Sequence, residues 1–247
     1  MSTAIKPSSN NPKIAELIRQ RIEKGGERLW QLKDFRDLSF MAVAQALSRL
    51  KRAHYIERIR KGVYYRARQT TLGKSRPNPS TIQKLISGKR VFPSGIAAAN
   101  LLGFTTQNAN KMEIATNALS LPRQLIGQAA IIHTRRPEAW ANLQESDAAL
   151  LDFLRQGGES SELSTKETIH RTLKLLSENG CFERLLKVSA FEPPRVKAIL
   201  GALGEQLGKN PAALGHLRES LNPFSKFDFG IFTDLKTAGK WQAKARH

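Results

Sequence analysis

Cysteine is almost absent from the 247-residue sequence, and with Cys181 as its single representative no disulfide can form within the chain. Such sparing use of cysteine fits a reducing compartment. The first ten residues are polar and contain no apolar run of the kind found in a secretory signal peptide. No apolar stretch approaches the roughly 20 residues that a membrane-spanning helix requires. The sequence therefore predicts a cytoplasmic protein that has no membrane partner.

Acidic residues are also scarce. The chain has 21 Asp and Glu against 40 Lys and Arg, which gives a formal net charge of +19 at pH 7. Such a surplus of cations suggests a polyanionic partner, because each cation placed beside a phosphate releases a condensed counterion. Residues 1–72 alone carry 16 Lys and Arg against six Asp and Glu. Charge by itself leaves open a basic protein without a polyanionic ligand and a peripheral membrane protein.

The sequence also lacks the residue patterns that catalysis or metal binding would need. Its five histidines are widely spaced and have no cysteine or carboxylate partner at metal-ligand spacing. Residues 204–210 superficially resemble a phosphate-binding loop, but one residue is missing between the two glycines, and Asn210 replaces the metal-binding Ser or Thr. We therefore expect no enzyme, no catalytic residue, no metal ion and no cofactor.

What the sequence does contain is a helical pattern that follows a leader, residues 1–12, expected to be disordered. Apolar residues recur at helical spacing from Pro12 and stop at Gly25-Gly26, which predicts a first helix. A short extended segment and about two turns of helix ending near Leu38 come next. Ser39 is then placed to cap a third helix that runs to Arg52.

The third helix is predicted to have an apolar side and a polar side, because successive residues turn by about 100°. The apolar side carries Val43, Ala46, Leu47 and Leu50. The other side carries Met41, Ala42, Gln45, Ser48, Arg49 and Arg52. Arg can bind guanine O6 and N7 together, and Gln can bind adenine N6 and N7. The polar side is therefore suited to base edges and phosphates.

A basic hairpin is predicted directly after this helix. Residues 55–66 combine β-branched and aromatic residues around a Lys61-Gly62 turn, where glycine supplies the positive φ that a tight turn requires. Three short helices followed by a basic hairpin is the element order of a winged helix-turn-helix, which we predict over residues 13–72. Arg58, Arg60 and Lys61 would lie on the wing.

The rest of the chain completes a predicted α+β fold that is mostly helical. Residues 73–140 are interpreted as a small α+β module, with helices over 80–87 and 96–102 and strands over 111–116, 123–126 and 128–134. Residues 141–223 are predicted to be helical, and Ser164 and Glu167 have the spacing of a capping box. Residues 224–247 form an aromatic and basic tail. Its phenylalanines are expected to pack on the body of the protein, and residues 240–247 are expected to be disordered.

Two segments of the first region resemble a known family. Residues 42–50, Ala-Val-Ala-Gln-Ala-Leu-Ser-Arg-Leu, and residues 56–64, Ile-Glu-Arg-Ile-Arg-Lys-Gly-Val-Tyr, are similar to the N-terminal winged helix of AbiEi-type antitoxins. In that family a helix that ends in Leu-Ser-Arg-Leu precedes an Arg-rich strand and a Gly-Val-Tyr or Gly-Leu-Tyr turn. Residues 92–103 resemble the P-S-G … A-A-N-L-L-G segment of the same family, and residues 126–137 resemble its next strand pair. The resemblance covers residues 13–137.

This resemblance implies a transcriptional regulator that is the antitoxin of a type IV toxin–antitoxin pair. Such an antitoxin represses its own promoter by binding inverted repeats in double-stranded DNA. Its functional partner is a nucleotidyltransferase-like toxin, which it counteracts without forming a stable complex.

Pattern and resemblance together predict a DNA-binding site in which the third helix enters the major groove and the wing contacts phosphates or the minor groove. Gln45, Ser48 and Arg49 are expected nearest the base edges. The complete predicted set is Ser39, Met41, Ala42, Gln45, Ser48, Arg49, Arg52, Arg58, Arg60, Lys61, Gly62 and Tyr64. Two alternatives remain: an antitoxin or adaptor that acts by direct protein binding, and an RNA-binding factor that prefers RNA duplexes or loops.

Overall fold

The computed structural model describes residues 12–71, 73–75, 89–107, 109, 111–121 and 130–245. These residues belong to two compact units, the first containing the described residues up to 75 and the second those from 89 onward. Both units combine helices with small sheets, so the predicted α+β class is confirmed. Residues 1–11 of the predicted leader, the predicted helix over 80–87 and the predicted strand over 123–126 lie outside the described residues, and the last residue of the leader, Pro12, belongs to the first helix.

The described residues of the first unit form two α-helices, a 3-10 helix, a three-stranded sheet and a two-stranded sheet. Its elements are α1 (Pro12–Gly25), β1 (Leu29–Gln31), a 3-10 helix (Leu32–Phe35), α2 (Phe40–Arg52), β2 (Glu57–Arg60), β3 (Val63–Tyr65), β4 (Gln69–Thr70) and β5 (Gly73–Lys74). In the three-stranded sheet β3 lies between β1 and β2, and all pairs are antiparallel. The predicted turn joins β2 to β3, and Gly62 has the expected positive φ of +75°.

The core of the first unit forms where both helices meet the sheet. Ile18 and Ile22 of α1 and Val43 and Leu47 of α2 are almost completely buried around Trp30. α1 ends at the predicted glycine pair, where Gly26 has a positive φ of +66°, and a Cβ on Gly25 would lie 2.4 Å from the Trp30 ring. The glycine that ends the helix therefore also makes room for the largest core residue.

The second unit contains a three-stranded sheet and a larger group of helices. Its elements are β6 (Val91–Pro93), α3 (Gly95–Leu101), β7 (Glu113–Thr116), β8 (Ile131–His133), α4 (Glu145–Arg155), α5 (Thr165–Ser177), α6 (Cys181–Ser189), α7 (Pro194–Gln206) and α8 (Pro211–Glu219). Three 3-10 helices cover Glu138–Asn142, Gly230–Asp234 and Ala238–Trp241. β7 is the central strand, antiparallel to β6 and parallel to β8. None of the helices in the described residues is long and apolar enough to cross a membrane.

One hydrophobic core of the second unit includes residues from the predicted module, the predicted helical region and the predicted tail. Phe104 stacks on Phe153 with ring centroids 4.1 Å apart, and Phe153 meets Phe232 edge-on at 6.1 Å. These three rings come from the predicted module, helical region and tail in turn. Each segment buries its apolar face against the others, which favours one core over three small ones.

The tail was predicted correctly only in part. Phe229 and Phe232 are buried, as expected for a segment that packs on the body of the protein, whereas Phe224 is exposed. The expected disorder from residue 240 onward is wrong for 240–245. Trp241 is fully buried against Gly201, where a Cβ would come within 2.1 Å of its ring, and its indole N–H donates to Glu205 at 2.8 Å.

Helix ends in the second unit confirm the capping prediction. The Glu167 backbone N–H donates to the Ser164 hydroxyl at 3.3 Å, and the Ser164 backbone N–H donates to the Glu167 carboxylate at 3.0 Å. The segment that superficially resembled a phosphate-binding loop has a structural role. It ends α7, and the Asn210 side chain accepts from the Ala212 N–H at 2.9 Å to begin α8.

A buried carboxylate connects three elements of the second unit. Asp152 of α4 is fully buried and accepts hydrogen bonds from the Ser94 hydroxyl at 2.6 Å and from Gln156 at 3.0 Å. It also forms an ion pair with Arg136 at 2.8 Å. A buried charge of this kind depends on all its partners, since desolvation has removed the water that would otherwise stabilise it.

Replacing Asp152 with Ala is therefore expected to lower the free energy of unfolding by about 3–5 kcal/mol, because Arg136 would keep its charge without a partner. Denaturant unfolding followed by circular dichroism measures this loss. Glu138→Ala, which breaks an exposed ion pair with Lys89, is the matched control and should move the midpoint far less. Equal midpoints for the two variants would contradict a structural role for the Asp152 cluster.

The single cysteine allows a second test of packing. Burial, followed in importance by the neighbouring Asp147 carboxylate, raises the pKa of the Cys181 thiol to about 12. Since the thiolate is the reactive form, the thiol should stay protonated and unreactive at pH 8 in the folded protein. We expect slow labelling by a disulfide reagent in buffer and rapid labelling in guanidinium chloride. Rapid labelling of the folded protein would show that Cys181 is accessible.

Candidate nucleic-acid interface

The predicted interface is built on α2, whose inner side is fixed by packing. Val43, Ala46 and Leu47 are buried as predicted, and Leu50 is half-buried at the edge of the core. α1 and the 3-10 helix hold this side of α2. Because the helix turns by about 100° per residue, burial of this side directs the opposite one to solvent.

Most of the predicted α2 residues lie on the exposed side. Met41 is 65% exposed, and Gln45, Arg49 and Arg52 are exposed as well. Ala42 and Ser48 are half-buried. Ser39 is exposed just before the helix, and its carbonyl accepts from the Val43 N–H at 2.9 Å, but the expected cap by its hydroxyl is not found in the described structure.

A shallow depression of about 160 Å³ lies on this surface, between the N-terminal parts of α1 and α2. Its lining mixes polar and apolar groups in similar proportion. The lining residues are Ile14, Ala15, Ser39, Met41, Ala42, Gln45, Ala46 and Arg49. Ile14 and Ala15 were not among the predicted interface residues. Their position at the start of the apolar stripe of α1, next to the start of α2, is the signal that could have indicated them.

The hairpin places only part of its predicted residues at the surface. Arg58 and Lys61 are exposed, and Gly62 is half-buried in the turn. Arg60 pairs with Val63 through the backbone, and its side chain lies outside the described part of the structure. Tyr64 is only 8% exposed and belongs to the core of the first unit. The prediction of Tyr64 as a surface contact is therefore corrected, because all three residues of β3 are buried.

Several cations of the first unit serve its internal structure. Arg21 donates to both carboxylate oxygens of Asp37 at 2.7 Å and holds the pKa of that carboxyl at about 2. The Arg28 guanidinium lies 3.8 Å from the Trp30 ring centroid. Arg66 donates to the Ile22 carbonyl at 2.8 Å. These side chains add to the net charge of the unit, but each of them is engaged in a contact within the unit.

A polar contact joins the last residue of β3, Tyr65, to Glu27, which follows α1 in the sequence. The Tyr65 hydroxyl donates to the Glu27 carboxylate. Burial, followed by this hydrogen bond, raises the pKa of Tyr65 to about 12, and the same bond is the main cause of a lowered Glu27 pKa. Within the described residues no three His, Cys, Asp or Glu side chains are grouped to hold a metal ion.

Comparison with known proteins gives a family but no activity. The model of a family described as "family of unknown function (DUF6088)" matches residues 13–139, slightly more than half of the chain. No curated protein matches the sequence. A crystal structure of the RV2827C protein from Mycobacterium tuberculosis is similar at a TM-score of 0.48 and 15% identity, over 91% of this chain and 85% of that one.

Cross-strand neighbours in the hairpin provide a test of the corrected interface. Tyr64 pairs with Arg58 in the sheet, yet one side chain is buried and the other exposed. Tyr64→Ala should lower the free energy of unfolding by about 3 kcal/mol because it leaves a cavity in the core. Arg58→Ala should change it by no more than about 0.5 kcal/mol. Thermal unfolding of both variants measures the difference, and a stable Tyr64→Ala protein would return Tyr64 to the surface set.

Proposed function

From the premise that the chain belongs to the DUF6088 family, we propose that it is a sequence-specific DNA-binding transcriptional regulator. In this proposal the first unit is a winged helix-turn-helix, with α2 as its recognition helix and the β2–β3 hairpin as its wing. The observation that carries the proposal is the outer side of α2, where Gln45, Arg49 and Arg52 are exposed together on a helix whose other side is fixed in a core.

The dimensions of α2 support its proposed role as a recognition helix. A helix with its side chains is about 10–12 Å across, and the major groove of B-DNA is about 12 Å wide. The 13 residues of α2 have no acidic side chain, so the whole helix can approach phosphates without repulsion. Gln and Arg supply the hydrogen-bond groups that distinguish adenine and guanine from the other bases.

The hairpin also carries exposed positive charge, which supports the proposal. Arg58 and Lys61 are exposed near the turn, where a wing would follow the sugar-phosphate backbone beside the groove. Residues 1–72 carry a net charge of +10, and the cations that are not engaged in internal contacts add to an electrostatic attraction for any duplex. Binding would therefore combine sequence-independent attraction with base contacts from α2.

The resemblance of residues 42–50 and 56–64 to AbiEi-type antitoxins supports a more specific proposal. The protein would repress its own promoter through inverted repeats and counteract a nucleotidyltransferase-like toxin encoded beside it. An inverted repeat presents two equivalent half-sites, so two copies of α2 would be needed for each operator.

The proposal is tested by gel mobility shift with the full chain on its own upstream DNA, a random duplex of equal length and the corresponding RNA. We expect the upstream DNA to bind most tightly, with an affinity that falls steeply as salt rises. Equal and weak binding to all three would contradict a regulator. Preference for the RNA would favour the RNA-binding alternative, and a stable complex with the toxin that survives changes in Arg49 and Arg52 would favour protein binding.

Two variants separate base contacts from phosphate contacts. Arg49→Ala should cost about 1–3 kcal/mol on the preferred DNA and relax specificity at one position. Lys61→Ala should weaken binding to every duplex alike and reduce the slope of log K against log salt by about one unit. Lys174→Ala, at an exposed site on α5, is the matched control for loss of a charge. An unchanged salt slope for Lys61→Ala would place the wing away from the DNA.

A further inference from the structure

Three side chains on the outer side of α2 form a line along the helix. Met41, Gln45 and Arg49 follow one another at intervals of four residues, and all three border the same depression. A rise of 1.5 Å per residue places their backbone positions about 6 Å apart and the ends about 12 Å apart. Since base pairs of B-DNA stack about 3.4 Å apart, such a line covers about four base-pair steps.

Met41 is the unusual member of this line. Its side chain is 65% exposed although it is apolar and belongs to a strongly basic unit. Beside it, Ile14, Ala15, Ala42 and Ala46 form the apolar part of the lining of the depression, and polar groups form the rest. Neither the Met41 side chain nor this apolar part can bind a phosphate. Both do match the one apolar group that the major groove presents, the C5-methyl group of thymine.

Gln45 and Arg49 differ from Met41 in the chemistry that they offer to a base edge. The Gln45 amide can donate to adenine N7 and accept from adenine N6 at the same time. The Arg49 guanidinium can donate to guanine O6 and N7. A change from apolar contact to amide and then to guanidinium along the helix therefore corresponds to three different bases.

We propose that the line Met41–Gln45–Arg49 reads a short operator element with thymine, adenine and guanine in that order along the groove, within about five base pairs. The thymine is recognised through its methyl group by the Met41 side chain, which lies beside the apolar part of the depression. This inference rests on the proposed function of α2 as a recognition helix and adds the identity of the bases.

The first experiment is selection of duplexes from a randomised library by the full-length protein, followed by binding measurements on the selected duplex. Thymine in the element is then replaced by deoxyuridine, which removes only the methyl group. Loss of one buried methyl should weaken binding by the wild-type protein about fourfold. Met41→Ala should bind the thymine and uracil duplexes equally. Leu119→Ala, at an apolar site that is 78% exposed in the second unit, is the control and should keep the fourfold difference.

The second experiment uses a substitution that should change which base is preferred, and not only weaken binding. Gln45→Glu replaces a group suited to adenine by one that accepts from cytosine N4. We therefore expect the preferred base at the middle position to change from adenine to cytosine, even though the added negative charge weakens binding to every duplex. A structural role for Gln45 would lower affinity without changing the preferred base.

The outcomes distinguish this inference from the proposed function. If no duplex is enriched by the wild-type protein, the proposed function itself is wrong. If a duplex is enriched but the wild-type protein binds its thymine and uracil forms equally, or if Gln45→Glu keeps the preference for adenine, the regulator remains and the assignment of bases to α2 is overturned. Because Met41 and Gln45 are exposed, unchanged thermal unfolding of both variants is expected and is checked alongside.

Discussion

Burial of the inner side of α2 is the constraint on which the candidate interface depends. Val43 and Leu47 are almost inaccessible in a core that also contains Trp30 and Phe35, whose rings stack at 5.6 Å. Because these residues are buried, helical geometry determines which residues of α2 face solvent. A rotation of the helix that hid Met41 would expose two core residues to water, at a cost of several kcal/mol by the area buried. Packing of the inner side therefore fixes the backbone from which the outer side chains extend, which suits a surface that must match a groove.

The position of each cation describes the candidate interface better than the net charge of the first unit does. Arg21 and Arg66 are held by hydrogen bonds within the first unit, and Arg28 lies against a core ring. Arg58 and Lys61 are exposed on the hairpin. Both groups contribute equally to a charge calculated from composition. Among the described residues, the first group would have to leave these contacts to reach a phosphate, so the effective footprint is smaller than the composition suggests.

Local sequence patterns predicted most elements of the first unit and their order. In the second unit they predicted individual elements but not the core that these elements share. The end of α1 at Gly25, the extent of α2 to Arg52 and the turn at Lys61-Gly62 follow from periodicity and glycine positions, which act over a few residues. Tyr64 was misplaced because β3 is buried on both faces, so the alternation that marks an exposed residue is absent. The single core of the second unit depends on contacts such as Phe104 with Phe153, whose partners are distant in sequence. No local pattern contains that information.

The two parts of the resemblance to AbiEi-type antitoxins differ in what they can say about function. In the second unit, Gly95 has a φ of +56°, and a Cβ there would lie 1.9 Å from the Glu113 carboxylate. Ser94 is fully buried and donates to Asp152. The Pro-Ser-Gly motif is thus required by packing and by a buried hydrogen bond, so its residues have a structural role in this chain. The α2 motif also includes residues that are exposed, such as Gln45. Substitutions on the exposed side of α2 are therefore a more direct test of DNA binding than substitutions in the Pro-Ser-Gly motif.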